Sequence, residues 1–533
     1  MRGVEGRNHK RMLPVTVLLV SASLLVLSYP PVGQGWLAYV ALLPYLQWLA
    51  HAPSLVVVLQ SSAVLGAISS GGLLYFTWMI IEANWLERAG AFLAVFALFA
   101  LQLSLFSTVA WLLLRQPVTW RVRKTYGRLA EDLSSVVAVA CWWWASEWMT
   151  QSLGLGLSMH LGLTQWAYPP VVRLARWVGL SGVSALVVGI NGALMLLIRR
   201  STSGGSRGQE TPHGFLASEP AHRVGISVVA GAMLVGGAWW GATHGGLRVS
   251  GSTSAARAPS ERVQLALIQS GFTMNEYGET KGNPEAMWHL FQRLLTQSRQ
   301  AVRAARGQFD GADRVVVLWP ETVLHEPLLG YPQYAAAMTR MAEEEQAWLV
   351  VGLPWLEEDA YSNAAIALSP SDEITDLYAK VRTIPLAEAW ARPGTAWRPL
   401  QIGGAALGIG LCSELIDPLP ARKLVQDGAQ LLLFLSSLDH LGRTSALALQ
   451  AAFAPFRAAE TGRWLAQVGS VGVTIVASPA GTIEALLPGF DPGLLIAEVP
   501  LESGTTPFLC YANAQAALAA GLVLLSLKRR GAR

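Results

Sequence analysis

Apolar residues in the first half of the chain come in long unbroken blocks, and in the second half they come in short runs separated by amphipathic stretches. The blocks fall near residues 12–27, 35–50, 55–81, 91–114, 134–157, 178–198 and 224–240, and a last one lies near 512–527. Each can cross, or nearly cross, the roughly 30 Å hydrocarbon layer of a bilayer as a helix. The pattern predicts a multi-span α-helical membrane part of about eight spans, the second being the weakest because it is short and contains Pro44. From residue 262 onward the period changes. VQLALIQ (263–269), RVVVLWPE (314–321), AWLVVGLPW (347–355), NAAIALS (363–369), the strand before Cys412 and LLLFLSS (431–437) read as strands, with helical patterns between them. Alternation of this kind predicts a layered α/β domain. The expected domains are therefore 1–244 in the membrane, 245–261 as a linker, 262–507 as a globular domain, and 508–533 as a final span with a basic tail. The stretch 201–220 reads as a flexible loop.

Composition sharpens that division. The chain of 533 residues is 52% hydrophobic and 14% charged, too apolar for an ordinary soluble protein of its size. Of its 35 acidic residues only eight precede residue 251. If the spans alternate from a cytoplasmic N-terminus, the basic clusters Arg2–Arg11, Arg115–Arg128 and Arg199–Arg223 fall inside, and the outer loops keep only Arg88, Arg173 and Arg176. This positive-inside arrangement puts the globular domain outside the cytoplasm. Basic residues that lie beside apolar spans, and not along a groove with stacking aromatics, argue against nucleic acid as a partner. Cys141, Cys412 and Cys510 form no CxxC pair and the nine His have no ligand spacing, so neither a metal nor a cofactor is expected. Glu147, inside a span, is expected to pair with Arg173 or Arg176.

Three polar residues end apolar runs of the globular domain. Glu321 closes VVVLWPE, where Trp319 and Pro320 would desolvate a carboxylate and suit it to take a proton. Lys380, in DLYAKVRTIP, would bring a positive charge to a thiolate or an oxyanion. Cys412, in GGAALGIGLCSELIDP (403–418), stands where a buried strand breaks into a turn. Each also has a bland reading: Glu321 as a helix-start carboxylate, Lys380 as a solvated strand end, Cys412 as a small core hydrophobe. Their occurrence together, each after a strand, favours chemistry.

WPE, the Tyr378-x-Lys380…Pro385-x-x-Glu388 string and Cys412-x-Glu414 resemble the Glu-Lys-Cys set of the nitrilase superfamily. Joined to the membrane part, the chain resembles the apolipoprotein N-acyltransferase family. Gly162, Gln165, Pro169, Gly179, Gly182, Ser184 and Asn191 also carry the likeness, as do Asn363, Asp439, RAAETGR (457–463), Gly504, Thr506 and Pro507. The resemblance implies an α-β-β-α sandwich, with Glu321 as general base, Lys380 as oxyanion stabiliser and Cys412 as nucleophile. Glu388, Glu414, Ser413, Trp319, Asn363 and Asp439 would support the site or bind substrate. The implied reaction takes an acyl chain from a phospholipid, phosphatidylethanolamine by expectation, through a Cys412 thioester to the α-amine of a diacylated prolipoprotein. The setting implied is the bacterial inner membrane, with the catalytic domain on the periplasmic side. A membrane-anchored amidase and a non-catalytic paralogue are the alternatives. The chain departs from the family pattern at Ser413, where an aromatic is usual, at Leu386-Ala387, and at His440-Leu441 after Asp439; these are places where acyl chain or head group would touch. Apolar Leu328, Leu329, Tyr331 and Trp390 are candidates for a lid.

Overall fold

In a computed structural model of the full chain, residues 14–79, 85–115, 120–152, 160–203, 261–309, 314–371, 374–384 and 387–528 are described here. The chain divides into two compact units. One takes in Met1–Tyr75, Ala89–Leu247 and Tyr511–Arg533, the other Phe76–Arg88 and Arg248–Cys510.

The first unit is helical: α1 (Val15–Ser28), α2 (Leu55–Leu73), α3 (Trp85–Arg115), α4 (Trp120–Ser152) and α5 (Ala175–Ser203). Together with the C-terminal helix, α2, α3 and α5 are long and apolar enough to cross a membrane. Their outward faces carry Val56, Leu59, Leu93, Leu101, Leu518 and Leu524, all exposed, which suits contact with lipid and not with water. The expected span at 35–50 is not one helix. It is a 3₁₀ turn followed by Ala38–Ala41 and Leu43–Leu49. Pro44 has no N–H to continue the ladder. The backbone so freed is satisfied by side chains from elsewhere in the unit: Asn191 accepts from Leu42 N at 3.0 Å and donates to Ala38 O at 2.8 Å, and Gln165 donates to Gly35 O at 2.8 Å. Glu147 pairs not with an arginine but with His160 Nδ1 at 2.8 Å, and it also accepts from Trp143 and the Leu161 amide. A carboxylate at that depth is thereby used to hold the irregular turn Leu161–Gln165, which is wholly buried. The expected span at 224–240, the loop at 201–220 beyond residue 203 and the linker up to residue 260 lie outside the described residues.

The second unit has two six-stranded sheets. One runs β12-β1-β2-β3-β4-β5 and the other β11-β10-β9-β8-β7-β6. In the first, β1 (Arg262–Gln269), β2 (Val315–Leu318) and β3 (Trp348–Glu357) are parallel, while β4 (Ala360–Leu368), β5 (Ile374–Ala379) and β12 (Gly493–Pro500) are antiparallel to their neighbours. In the second, β7 (Ala405–Leu411), β8 (Leu431–Ser436) and β9 (Leu465–Gly469) are parallel, flanked by β6 (Leu400–Ile402), β10 (Thr474–Ala477) and β11 (Ile483–Leu487). Leu265, Leu267, Val316 and Leu318 of one sheet pack on Leu407, Ile409, Leu433 and Leu435 of the other. The outer face of the first sheet is covered by α6 (Pro284–Gln308) and α7 (Pro332–Glu344). The second is covered by α8 (Pro418–Gln426), α9 (Ser445–Ala451) and α10 (Phe453–Thr461). β2 and β8, clothed on both faces, read as unbroken apolar runs for this reason. This is the expected α-β-β-α sandwich; the chain leaves it through α11 (Pro507–Lys528).

Candidate active site

The catalytic candidates sit just beyond the ends of strands of the two sheets. Glu321 follows β2, Lys380 follows β5, Cys412 follows β7, and Ser437–Asp439 follow β8. Lys380 is fully buried between two carboxylates, with Nζ 2.6 Å from Glu388 Oε1 and 3.2 Å from Glu321 Oε1. Asn363 on β4 binds the same two oxygens through its Nδ2, at 2.8 Å to Glu321 and 2.9 Å to Glu388. The second Glu321 oxygen accepts from the Ser437 amide at 3.0 Å, which joins the first sheet's carboxylate to the second sheet's strand end. Gly352 on β3 permits this placement. A Cβ there would stand 2.5 Å from both Glu321 Cα and Pro320 O.

Cys412 has a positive φ of 45°, an uncommon conformation for a residue with a side chain, and it opens a short 3₁₀ turn, Cys412–Leu415. Two groups clamp the turn. Glu414, fully buried, accepts from the Leu411 amide at 2.9 Å, from Tyr378 Oη at 2.7 Å, from Trp397 Nε1 at 3.0 Å, and from the amides of Val381 and Arg382. Arg457 on α10 donates to the carbonyls of Leu415 at 3.0 Å and Ile416 at 2.7 Å while paired with Glu460. Burial raises the Glu414 carboxyl above its ordinary value, although the hydrogen bonds oppose it.

Electrostatics set the resting state. Burial pushes the Cys412 thiol up to about 12, and Glu321 adds to the rise more than Lys380 takes away. Burial alone would lower the Lys380 ammonium, but Glu321, Cys412 and Glu388 outweigh it and hold it above the ordinary lysine value. At neutral pH the site therefore holds a neutral thiol beside a firmly protonated lysine. A pH dependence of stability follows. The unfolded thiol ionises near 9.0 and the folded one near 12, so this contribution is complete below pH 9 and is lost as pH rises toward 12. Lys380, raised from 10.5, has the same sign at higher pH. Thermal unfolding in detergent from about pH 8 to 11 is expected to show a fall of roughly 5 °C that is smaller in Cys412→Ser. Equal falls in both would contradict it.

Other residues fall differently. Ser413 is half-buried beside the nucleophile. Asp439 is buried, accepts from Ser437 Oγ, and lies 3.9 Å from His325 Nε2. Trp319 does not face the site: it is buried among the helices of the outer layer, edge-on to Phe291, with Nε1 2.8 Å from Ser298 Oγ. Of the lid candidates, Leu328 is core and Leu329 packs against it, while Tyr331 and Trp390 are exposed. Leu386 lies outside the described residues. Two sulfur neighbours escape a motif search, Ser436 (Oγ 3.7 Å) and Gln450 (Nε2 3.4 Å). Among the described residues no group of three or more His, Cys, Asp or Glu could hold a metal ion.

The model of the carbon-nitrogen hydrolase family matches residues 265–506, which take in Glu321, Lys380 and Cys412. Residues 21–193 match the model of the apolipoprotein N-acyltransferase N-terminal domain. The chain is 26% identical to the apolipoprotein N-acyltransferase of Geobacter metallireducens over 96% of this chain and 94% of that one. Its identity to the protein of the same name from Shewanella oneidensis is 24%, over 90% and 91%. Over nearly its whole length the chain is thus similar to the apolipoprotein N-acyltransferases. Among solved structures, a carbon-nitrogen hydrolase from Helicobacter pylori matches 49% of this chain and 94% of its own, at 15% identity and a TM-score of 0.36.

Proposed function

We propose that this protein N-acylates lipoproteins at the membrane by a two-step transfer through Cys412. The observation that carries the reading is the Lys380 ammonium held between Glu321 and Glu388, next to a neutral thiol on a strained turn. Among the described residues Glu321 Oε2 has one donor, the Ser437 amide, and so keeps a lone pair for a proton. In the first step Cys412 Sγ attacks the sn-1 ester carbonyl of a phospholipid as its proton passes to Glu321. The oxyanion is met by Lys380 Nζ and the Ser413 amide. Collapse breaks the C–O bond, and the leaving lysophospholipid oxygen takes the proton back. In the second step the α-amine of a diacylglyceryl-cysteine attacks the thioester carbon, its proton goes to Glu321, the C–S bond breaks with the electron pair returning to sulfur, and Glu321 hands the proton to the sulfur to restore the thiol.

Phosphatidylethanolamine is the donor we assign, and the charge asymmetry of the sequence supports a catalytic domain on the periplasmic face of the inner membrane. Both substrates carry acyl chains, each buried CH₂ being worth about 0.8 kcal/mol, so a site tied to apolar helices suits them better than a free one. Tyr331 and Trp390, exposed and aromatic, are assigned to acyl-chain contact. Hydrolysis by an anchored amidase is the weaker reading, since the relatives reported above are named N-acyltransferases.

Incubation with phospholipid labelled in its sn-1 chain is expected to leave label on the Cys412 peptide, released by neutral hydroxylamine. Adding a diacylated lipopeptide should then discharge it as N-acyl product. Label released only as free fatty acid would turn the reading to a hydrolase, and no label on Cys412 would end it.

A further inference from the structure

Beyond the charged groups, Cys412 Sγ has neutral neighbours, and one of them is oriented by its own partners. Gln450, on α9 and buried, places Nε2 3.4 Å from the sulfur. Its Oε1 accepts from Ser436 Oγ at 2.8 Å and from Gln467 Nε2 at 3.2 Å. Gln467 is in turn fixed, because the same Nε2 donates to the Val473 carbonyl at 3.2 Å. The Val473 carbonyl thus sets the Gln467 amide, and Gln467 sets Gln450. Turning the Gln450 amide over would put one NH₂ against another. The N–H side must face Cys412.

We propose that Gln450 is a further catalytic residue of this transfer: its Nε2–H donates to Cys412 Sγ, holds the thiol in one rotamer, and stabilises the sulfur anion as it forms in acylation and departs in deacylation. The proposal rests on the reading of Cys412 as nucleophile. A thiolate is a far better acceptor than a thioester sulfur, so the bond strengthens along both reaction coordinates and weakens in the acyl-enzyme, which is the differential binding that speeds a step. A neutral donor suits the place. The charged groups around the sulfur are Glu321, Lys380 and Glu388, and Glu414 in its own turn is saturated by donors. A second cation would compete with Lys380 for the two carboxylates, whereas an amide adds a hydrogen bond and no charge.

The first arm of the test needs no lipid. The full chain in detergent is alkylated with iodoacetamide across pH, and the rate at Cys412 is read from its own peptide so that Cys141 and Cys510 are counted apart. Gln450→Met keeps the length of the side chain and removes the donor. Its profile is expected to move up by about one pH unit, with alkylation about tenfold slower below the midpoint and kcat lowered about tenfold at unchanged KM for the lipopeptide. Gln450→Glu keeps the shape but places a carboxylate against the sulfur, and its profile should move further in the same direction. Two variant profiles that superimpose on the parent overturn the role of Gln450 alone. A parent whose Cys412 stays unalkylated while Cys510 reacts overturns the nucleophile reading and this inference with it.

Discussion

Lys380→Met is expected to lower thioester formation by about a thousandfold, the upper end of what removing one oxyanion donor costs, and to destabilise the catalytic domain as well. The two effects have separable causes. Lys380 Nζ is the cation between Glu321 and Glu388, the lysine and Glu321 buried and Glu388 nearly so. Removing one partner of a buried charge group costs about 3–5 kcal/mol because it strands the others. Asn363 would then be left as the donor that Glu321 and Glu388 share. A second change, Glu388→Gln, removes one of the stranded charges. The double variant should recover much of the lost thermal stability yet none of the acylation rate. Stability and activity recovering together would show that Lys380 merely supports the fold. Acylation within tenfold of the parent in the single variant would remove it from the chemistry.

The second large effect is expected at Glu414, which touches no substrate in the proposed mechanism. Its carboxylate receives the amide before the nucleophile, Leu411, and the two amides after the lysine, Val381 and Arg382, together with Tyr378 and Trp397. One side chain therefore sets the spacing between the β5 end and the β7 end. Gln at this position keeps the size but turns half of the acceptor into a donor. Tyr378 can reverse its hydroxyl to meet an NH₂, whereas a backbone amide cannot. Glu414→Gln should cost about 2 kcal/mol and lower kcat roughly a hundredfold, since a displacement near 1 Å at the reacting groups has that effect. KM for the lipopeptide should change little. A variant with lowered Tm but full kcat would assign Glu414 to stability alone.

The strands were legible because β2, β7 and β8 are clothed on both sides and so stand out as apolar runs, and the motif residues were legible because each follows such a run. What a run cannot reveal is its neighbour. Trp319 directly follows β2, and its position alone suggested the site, yet its side chain lies with the helices against Phe291. Leu328 reads as an apolar loop residue and is core. Gln450 and Ser436 lie on different elements, α9 and β8, and meet the sulfur through tertiary packing that leaves no local pattern. Glu147 announced a partner by being ionisable within a span. The partner is His160, whose own Nε2 lies 2.6 Å from Gln151, and not the nearby arginines that simple charge matching suggested. The broken segment at 35–49 followed from Pro44, but its repair by Asn191 and Gln165 depends on residues more than a hundred positions away.

The pairing of β12 with β1 bears on how the domain is made. Arg262 faces Pro500 and Gln269 faces Gly493, so the first strand of the sandwich is completed by the last one. During synthesis β1 must wait, one edge open, until nearly the whole domain has been made, and open apolar edges invite association with other chains. Because entry and exit strands lie side by side, the domain also has a single root. A pull on either neighbouring segment would peel the same edge of the first sheet, leaving the Cys412 sheet until later in mechanical unfolding.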